Sequence, residues 1–253
     1  MALIFMDLDG TALFQGKPVK GVQESIQKLK ENGHLVAIAT GRSPLLLYEK
    51  DKELGIDILV LANGSFVIVD GKVIHEKYIP SDVVKRMMDY SDMHQTDLVV
   101  EYIDEYISYR KDSDIADRFS DIFNIEKPRY DGEHYPDRNV FSMLVFNKDD
   151  VNDMKTSLPE LAFNESNALG YDVNLKGELK AEGVKAVIDY LKYPWEETYA
   201  IGDGHNDITM LKAVRHGIAM GNATDEVKAA AEFVTTDVND YGVANGLKHY
   251  GLI

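Results

Sequence analysis

Residues 2–11 read Ala2-Leu3-Ile4-Phe5-Met6-Asp7-Leu8-Asp9-Gly10-Thr11, an apolar run of strand length that stops abruptly on acids and a turn. Its apolar residues do not alternate with polar ones, which suits a strand buried on both faces of a parallel sheet. Working outward, Val22, Ile26 and Leu29 follow helical spacing, and Asn32-Gly33 supplies a stop. Leu35 to Ala39 is a second apolar strand, and Thr40-Gly41-Arg42-Ser43-Pro44 is a turn. A helix through Leu45 to Leu54 leads to a third strand, Ile58 to Leu61, closed by Asn63-Gly64. Strand, helix, strand, helix, strand predicts a doubly wound α/β sheet.

The rhythm changes near Pro80-Ser81. A helix is expected from Asp82 to Met93, then two runs, Leu98 to Ile103 and Tyr106 to Tyr109, around Asp104-Glu105 as an antiparallel hairpin. Further strands are expected at Phe141 to Phe146, Leu161 to Asn164 and Tyr171 to Leu175, with helices at Ile115 to Phe123 and Val151 to Leu158. After Lys180 the first rhythm returns. Gly183 to Leu191 reads as a helix, Thr198 to Ile201 as a strand, and 202–207 as a loop. Ile208 to Val214 is again helical, Gly217 to Met220 a strand, and Thr224 an N-cap for a helix over 225–232. The expected division is a core of residues 1–80 and 178–253, with an α+β domain of residues 81–177 inserted in it.

The 253 residues carry 27 Lys+Arg against 43 Asp+Glu, a net charge of −16. Such a field repels nucleic acid and anionic membranes, though not a small phosphorylated molecule met through a bound cation. There is no cysteine, so disulfides, thiolate metal sites and a thiol nucleophile are excluded. No apolar stretch is long enough to span a bilayer, and residues 1–7 have no basic start of a signal peptide. A cytoplasmic protein is expected, as a monomer or homodimer.

Ligands of open parallel sheets bind beyond the carboxyl ends of the strands. Asp7, Asp9, Thr40, Asn63, Asp203 and Asp207 all fall just after expected buried strands. If those strands are neighbours, several carboxylates meet at one edge, which requires a cation. Oxygen ligands without cysteine or paired histidine favour Mg²⁺ over zinc. An EF-hand is excluded, because the twelfth position counted from Asp203 is Val214. His205 reads as an exposed loop residue. A dinucleotide fold is disfavoured, because Asp-Leu-Asp-Gly-Thr stands where Gly-x-Gly-x-x-Gly would be.

The order of these motifs resembles the haloacid dehalogenase superfamily. Asp7-Leu8-Asp9-Gly10-Thr11 looks like its first motif and Ala39-Thr40-Gly41-Arg42 its second. Lys180 looks like the third, with Lys176 as the alternative, and Gly202-Asp203-Gly204-His205-Asn206-Asp207 like the fourth. Leu61-Ala62-Asn63-Gly64, Gly217 to Ala223 and Asp240 to Ala244 are similar to its Cof-type phosphatases, which carry a large α/β cap between motifs two and three.

The resemblance implies a Mg²⁺-dependent phosphatase of small metabolites, sugar phosphates first, working through an aspartyl-phosphate. Asp7 would be the nucleophile and Asp9 the acid and base. Asp7, Asp203, Asp207 and the Asp9 carbonyl would hold the metal. Thr40, Lys180, Asn206 and backbone N–H groups near Leu8 and Gly41 would bind phosphate, and Arg42, Asn63 and Gly64 the substrate. Specificity would lie in the cap, where Tyr102, Tyr106, Tyr109 and Tyr171 read as ordinary strand aromatics. A mutase, or a silent binding protein on the same scaffold, is the alternative.

Overall fold

The computed structural model describes residues 1–47, 49–111, 118, 120–121, 126–132, 138–146, 151–166, 170–177 and 179–253. Its strands in chain order are β1 (Leu3–Met6), β2 (Leu13–Phe14), β3 (Lys17–Pro18), β4 (Leu35–Ala39), β5 (Ile58–Leu61), β6 (Phe66–Val69) and β7 (Lys72–Glu76). These are followed by β8 (Leu98–Glu101), β9 (Tyr106–Ser108), β10 (Arg129–Tyr130), β11 (Ser142–Val145), β12 (Leu161–Ser166) and β13 (Gly170–Leu175). The last are β14 (Thr198–Gly202), β15 (His216–Ala219) and β16 (Phe233–Val234). The chain divides into two units. One holds Met1–Gly41, Glu49–Glu76 and Glu178–Ile253, the other Arg42–Tyr48 and Lys77–Gly177.

The first unit is built on a sheet of order β16-β15-β14-β1-β4-β5-β6-β7 among the described residues. From β16 to β5 every pairing is parallel, and the central β1 is buried along its whole length. Leu3, Phe5, Ala37 and Val60 pack on one side of the sheet with Val184, Val187, Met210 and Val227 from helices. Fully burying a side chain of this size contributes about 1.5–3 kcal/mol.

Two strands extend the expected sheet. The apolar stretch from Ile58 to Val69 turns back on itself at 62–64, so β6 runs antiparallel to β5, and β7 returns antiparallel to β6. Asp70-Gly71, with φ of 49° and 76°, makes the tight turn between them. The helix expected over Leu45 to Leu54 is broken into Pro44–Leu47 and Lys50–Leu54, because Glu49 is left-handed at φ 54°, ψ 11°. Packing explains the break. Leu46 belongs to a cluster with Val99, Tyr106, Leu144 and Phe146 of the second unit, whereas Lys50–Leu54 stays with the first.

The helix expected from Gly183 begins earlier, at Leu179. Gly183 is no boundary but a point of close approach: a Cβ there would sit 2.7 Å from Val60 Cγ1 and 2.8 Å from Gly64 Cα. Thr224 stands at the N-cap of helix Asp225–Ala230 but makes no side-chain capping bond.

The second unit is a sheet of order β10-β9-β8-β11-β13-β12, with β8 and β9 the expected antiparallel hairpin. Helices Ser81–His94 and Val151–Ser157 place Val84, Met87, Met88 and Met154 against Leu98, Val100, Met143 and Val173 on one face. Tyr102 packs into that cluster and Tyr109 and Tyr171 pack against it, while Tyr106 lies on the other face and shares a 3.2 Å hydrogen bond with Ser43. The helix expected over 115–123 falls largely outside the described residues. Among the described residues no helix is long and apolar enough to cross a membrane.

Glu101, at the end of β8, is buried, and its Oε1 has no hydrogen-bond partner. Burial and the nearby Asp172 carboxylate push its pKa up to about 8, against a hydrogen bond with Ser142. Between its ordinary value of 4.5 and about 8, the folded chain therefore keeps a proton that the unfolded chain has released. Stability from this group is complete below 4.5 and is lost as pH rises through 8. Glu101→Gln ionises in neither state. Urea unfolding at pH 5 and pH 7.5 is expected to show a pH-dependent loss about 3 kcal/mol smaller in the variant than in the parent. Equal losses in the two proteins would show that Glu101 ionises freely in the fold.

Candidate active site

Strands β14, β1, β4 and β5 are neighbours and parallel, so the residues just past their carboxyl ends are brought together. The backbone ladder continues one step beyond the strands: Asp7 N–H donates to Ile201 O at 2.9 Å, and Thr40 N–H to Val60 O at 2.9 Å. Asp7 is thereby fixed at the end of β1, Thr40 at the end of β4, and Asp203 after β14.

Lys180 lies at the centre. Its ammonium is buried, donates to Asp7 Oδ1 at 2.7 Å, and also bonds Asp207 Oδ1. The first turn of helix Leu179–Leu191 carries it there, which the extended start of that helix makes possible. Lys176 and Lys185 are both exposed. Asp207 is fully buried at the start of helix Asp207–Ala213, and its Oδ2 accepts the N–H groups of Asp203 at 3.0 Å and Gly204 at 2.8 Å.

Asp203 is held from two sides. Thr11 Oγ1 donates to its Oδ1 at 2.7 Å, and Asn222 Nδ2 to its Oδ2 at 3.2 Å. Asn222 also donates to Gly10 O at 3.0 Å and accepts Val238 N–H at 3.0 Å, tying three loops together. Gly10 needs its missing side chain on two counts: φ is +88°, and a Cβ would overlap the Asp203 carboxylate. Thr11 and Asn222 were not among the expected site residues, although both lie in quoted motifs. A small polar residue after a strand was the available signal.

On the other flank, Asn206 Nδ2 donates to Asn63 Oδ1 at 2.8 Å, and Asn63 N–H to Thr40 O at 3.0 Å. Asn63 reaches this point through a run of left-handed residues, Ala62, Asn63 and Gly64. A Cβ on Gly64 would meet Leu179 O, so glycine there lets the turn touch the helix that carries Lys180. Leu8 is fully buried and Gly41 lies against the Asn63 side chain.

Asp9 is exposed, and its carboxylate is not part of the buried acidic group. His205 is exposed, 3.4 Å from Glu226, as the sequence suggested. Arg42 groups with the second unit, where its guanidinium donates to Leu46 O at 3.2 Å.

Asp7, Asp203 and Asp207 each offer a carboxylate oxygen within 4.8 Å of the others. Burial, then repulsion from Asp207 and Asp203, raises the Asp7 pKa well above 3.8 against the pull of Lys180. Burial and the Asp207 and Asp9 charges push Asp203 up to about 6, against the Thr11 hydrogen bond and Lys180. For Lys180, burial pulls downward, but Asp207 and Asp7 outweigh it and hold the ammonium charged. One cation does not neutralise three carboxylates. The donor set, all oxygen and in excess of negative charge, is one that could hold a hard metal ion.

A family profile for haloacid dehalogenase-like hydrolases matches residues 4–247. The chain belongs to that family. Among relatives of the haloacid dehalogenase-like chain is YkrA of Bacillus subtilis (strain 168), 33% identical over 252 residues that cover 99% of this chain and 98% of YkrA. The 5-amino-6-(5-phospho-D-ribitylamino)uracil phosphatase YitU of the same organism is 31% identical over 264 residues, covering 98% and 97% of the two chains. The solved structure of the haloacid dehalogenase subclass IIB sugar phosphatase BT4131 superposes with a TM-score of 0.88 at 27% identity, covering both chains fully. This haloacid dehalogenase-like hydrolase is thus of the phosphatase type, with the α/β core and inserted cap that its sequence predicted.

Proposed function

We infer that the chain is a Mg²⁺-dependent phosphatase that hydrolyses phosphomonoesters of small metabolites, sugar and sugar-alcohol phosphates foremost, through an aspartyl-phosphate. The observation that carries this reading is the buried group of Asp7, Asp203 and Asp207 around Lys180, at the carboxyl ends of adjacent parallel strands. The substrate class draws on relatives: one is named for a phosphoribityl compound and one for sugar phosphates. The enzyme would act on soluble substrates in the cytoplasm, as a monomer or homodimer.

Asp7, Asp203 and Asp207, with the Asp9 carbonyl, would hold Mg²⁺, which supplies charge neutralisation between a carboxylate nucleophile and a phosphate dianion. Asp7 attacks phosphorus through the carboxylate oxygen that Lys180 does not engage, and the ester oxygen leaves. Asp9, exposed and two residues along, gives that oxygen a proton, then takes one from the water that opens the acyl phosphate. Lys180, Thr40, Asn206 and the N–H groups near Leu8 and Gly41 bind the phosphoryl oxygens, whose charge redistributes in the transition state. Asn63 positions Asn206 through its 2.8 Å bond. Asn63 and Gly64 would serve substrate binding in the first unit, and the choice of leaving group is assigned to Arg42 and residues 81–177 of the inserted cap.

Phosphate release from sugar phosphates, sugar-alcohol phosphates, nucleotides and pyridoxal phosphate tests the reading, with Mg²⁺ and again after chelation. Release is expected to be greatest from the first two classes and to fall by at least ~10²-fold on chelation. Metal-independent release would remove the role given to the three carboxylates. Isomerised product without free phosphate would make the enzyme a mutase.

A further inference from the structure

A groove in the first unit runs against the charge of the rest of the chain. The net charge is −16, yet Lys20, Lys28 and Lys248 border this groove against one acidic side chain, Glu24. Among the described residues none of the three ammonium groups has a carboxylate partner. The small residues Gly21 and Ala244 keep the groove open, to a volume of about 390 Å³, within the range of small-molecule sites.

Two further features bear on what it would take. Tyr241 lines the groove with its side chain about half exposed (49%), in a left-handed conformation at φ 54°. Its ring lies over Gly21, where a Cβ would come within 2.9 Å of Tyr241 Cδ1. Gly21 and Tyr241 are also the N-cap residues of helices Val22–Glu31 and Gly242–His249, and neither provides a side-chain acceptor for the first N–H groups. The N-terminal ends of both helices lie beside the ring, and Lys28 and Lys248 stand in the last turns of the same helices, so the ammonium groups are spread along the groove. None of the lining residues belongs to the candidate active site.

We propose that this groove binds a phosphorylated aromatic small molecule of the nucleoside diphosphate class. The phosphates would lie among Lys20, Lys28 and Lys248, and the base against Tyr241. Ile253, the last residue, adds its α-carboxylate to the lining, and three ammonium groups still outnumber the two carboxylates. In a molecule whose overall field repels anions, that local excess selects where a polyanion settles. The ring adds a stacking surface that an inorganic anion does not use. The site is independent of the reaction proposed above.

The test titrates ADP into the full chain with a chelator present, so that no turnover occurs. Binding is read by calorimetry and located by amide hydrogen exchange. The proposal expects saturable binding with slowed exchange in residues 20–28 and 241–248. The double variant Lys28→Gln, Lys248→Gln should bind about ten-fold more weakly, and inorganic pyrophosphate should bind the parent about ten-fold more weakly than ADP. Both lysines are exposed, and circular dichroism verifies that the double variant folds; Lys20→Gln carries the same test if it does not. Absence of saturable binding overturns the proposal. So does protection confined to residues 7–11 and 202–207, or an affinity unchanged in the variant. Pyrophosphate binding as tightly as ADP overturns the aromatic part.

Discussion

Asp7→Asn is expected to reduce phosphomonoester turnover by at least ~10⁴-fold, as loss of a covalent nucleophile does elsewhere, while the chain keeps its fold. The side chain is nearly isosteric, and its amide oxygen can still accept from Lys180, which donates to Asp7 Oδ1 at 2.7 Å. The buried carboxylate is already a cost: desolvation and two neighbouring acids raise its pKa. Removing its charge relieves that repulsion, so the thermal midpoint of the metal-free variant should equal or exceed that of the parent. Activity and stability thus move in opposite directions, which separates a chemical role from a structural one. Acid-quenched parent protein should also carry a phosphoryl group on the peptide containing Asp7, and the variant none. Turnover within ten-fold of the parent would remove Asp7 as nucleophile.

Lys180→Met is expected to cost about 3–5 kcal/mol of stability near neutral pH, the usual result of stripping one partner from a buried charge group. The ammonium touches Asp7 and Asp207, both buried, and nothing else in the described site offers them a positive charge. The sign of the pH dependence follows. Without Lys180 the pKa of the Asp7 carboxyl rises further above 3.8, so the folded variant takes up a proton that the unfolded chain lacks. Its deficit is therefore small near pH 4 and grows as pH rises toward 7. Urea unfolding with a chelator present, at pH 5 and pH 7.5, reads this directly. A deficit that does not change between the two would mean that Lys180 contributes packing alone. Turnover should fall by about 10²–10³-fold, the range seen when one preorganised donor to a charged transition state is lost.

The sequence determined the core of this protein because the signals there are local. Uniformly apolar strands β1, β4, β5 and β14 each end on a small, acidic or amide residue, and parallel sheets bind ligands at that end. The order of Asp7, Thr40, Asn63 and Asp203 along the chain therefore already implied a shared edge. The family resemblance followed from the same residues, and the profile match and the relatives bear it out.

Tertiary structure decided the rest. That Lys180 and not Lys176 stands between Asp7 and Asp207 depends on where a helix starts, and its start was hidden by Gly183. A glycine inside a helix looks like a boundary until the Gly64 turn that it touches is in place. Leu46 and Leu54 have one helical spacing in the chain but belong to different units, so Glu49 breaks the helix between them. Glu101, in Val99-Val100-Glu101, carries no mark of burial in its sequence; only the pairing of β8 between β9 and β11 encloses it. Periodicity and turn chemistry act over a few residues and are written in the chain, whereas a charge's partner and a side chain's exposure are set by residues far along it, 173 positions for Lys180 and Asp7 and 192 for Thr11 and Asp203.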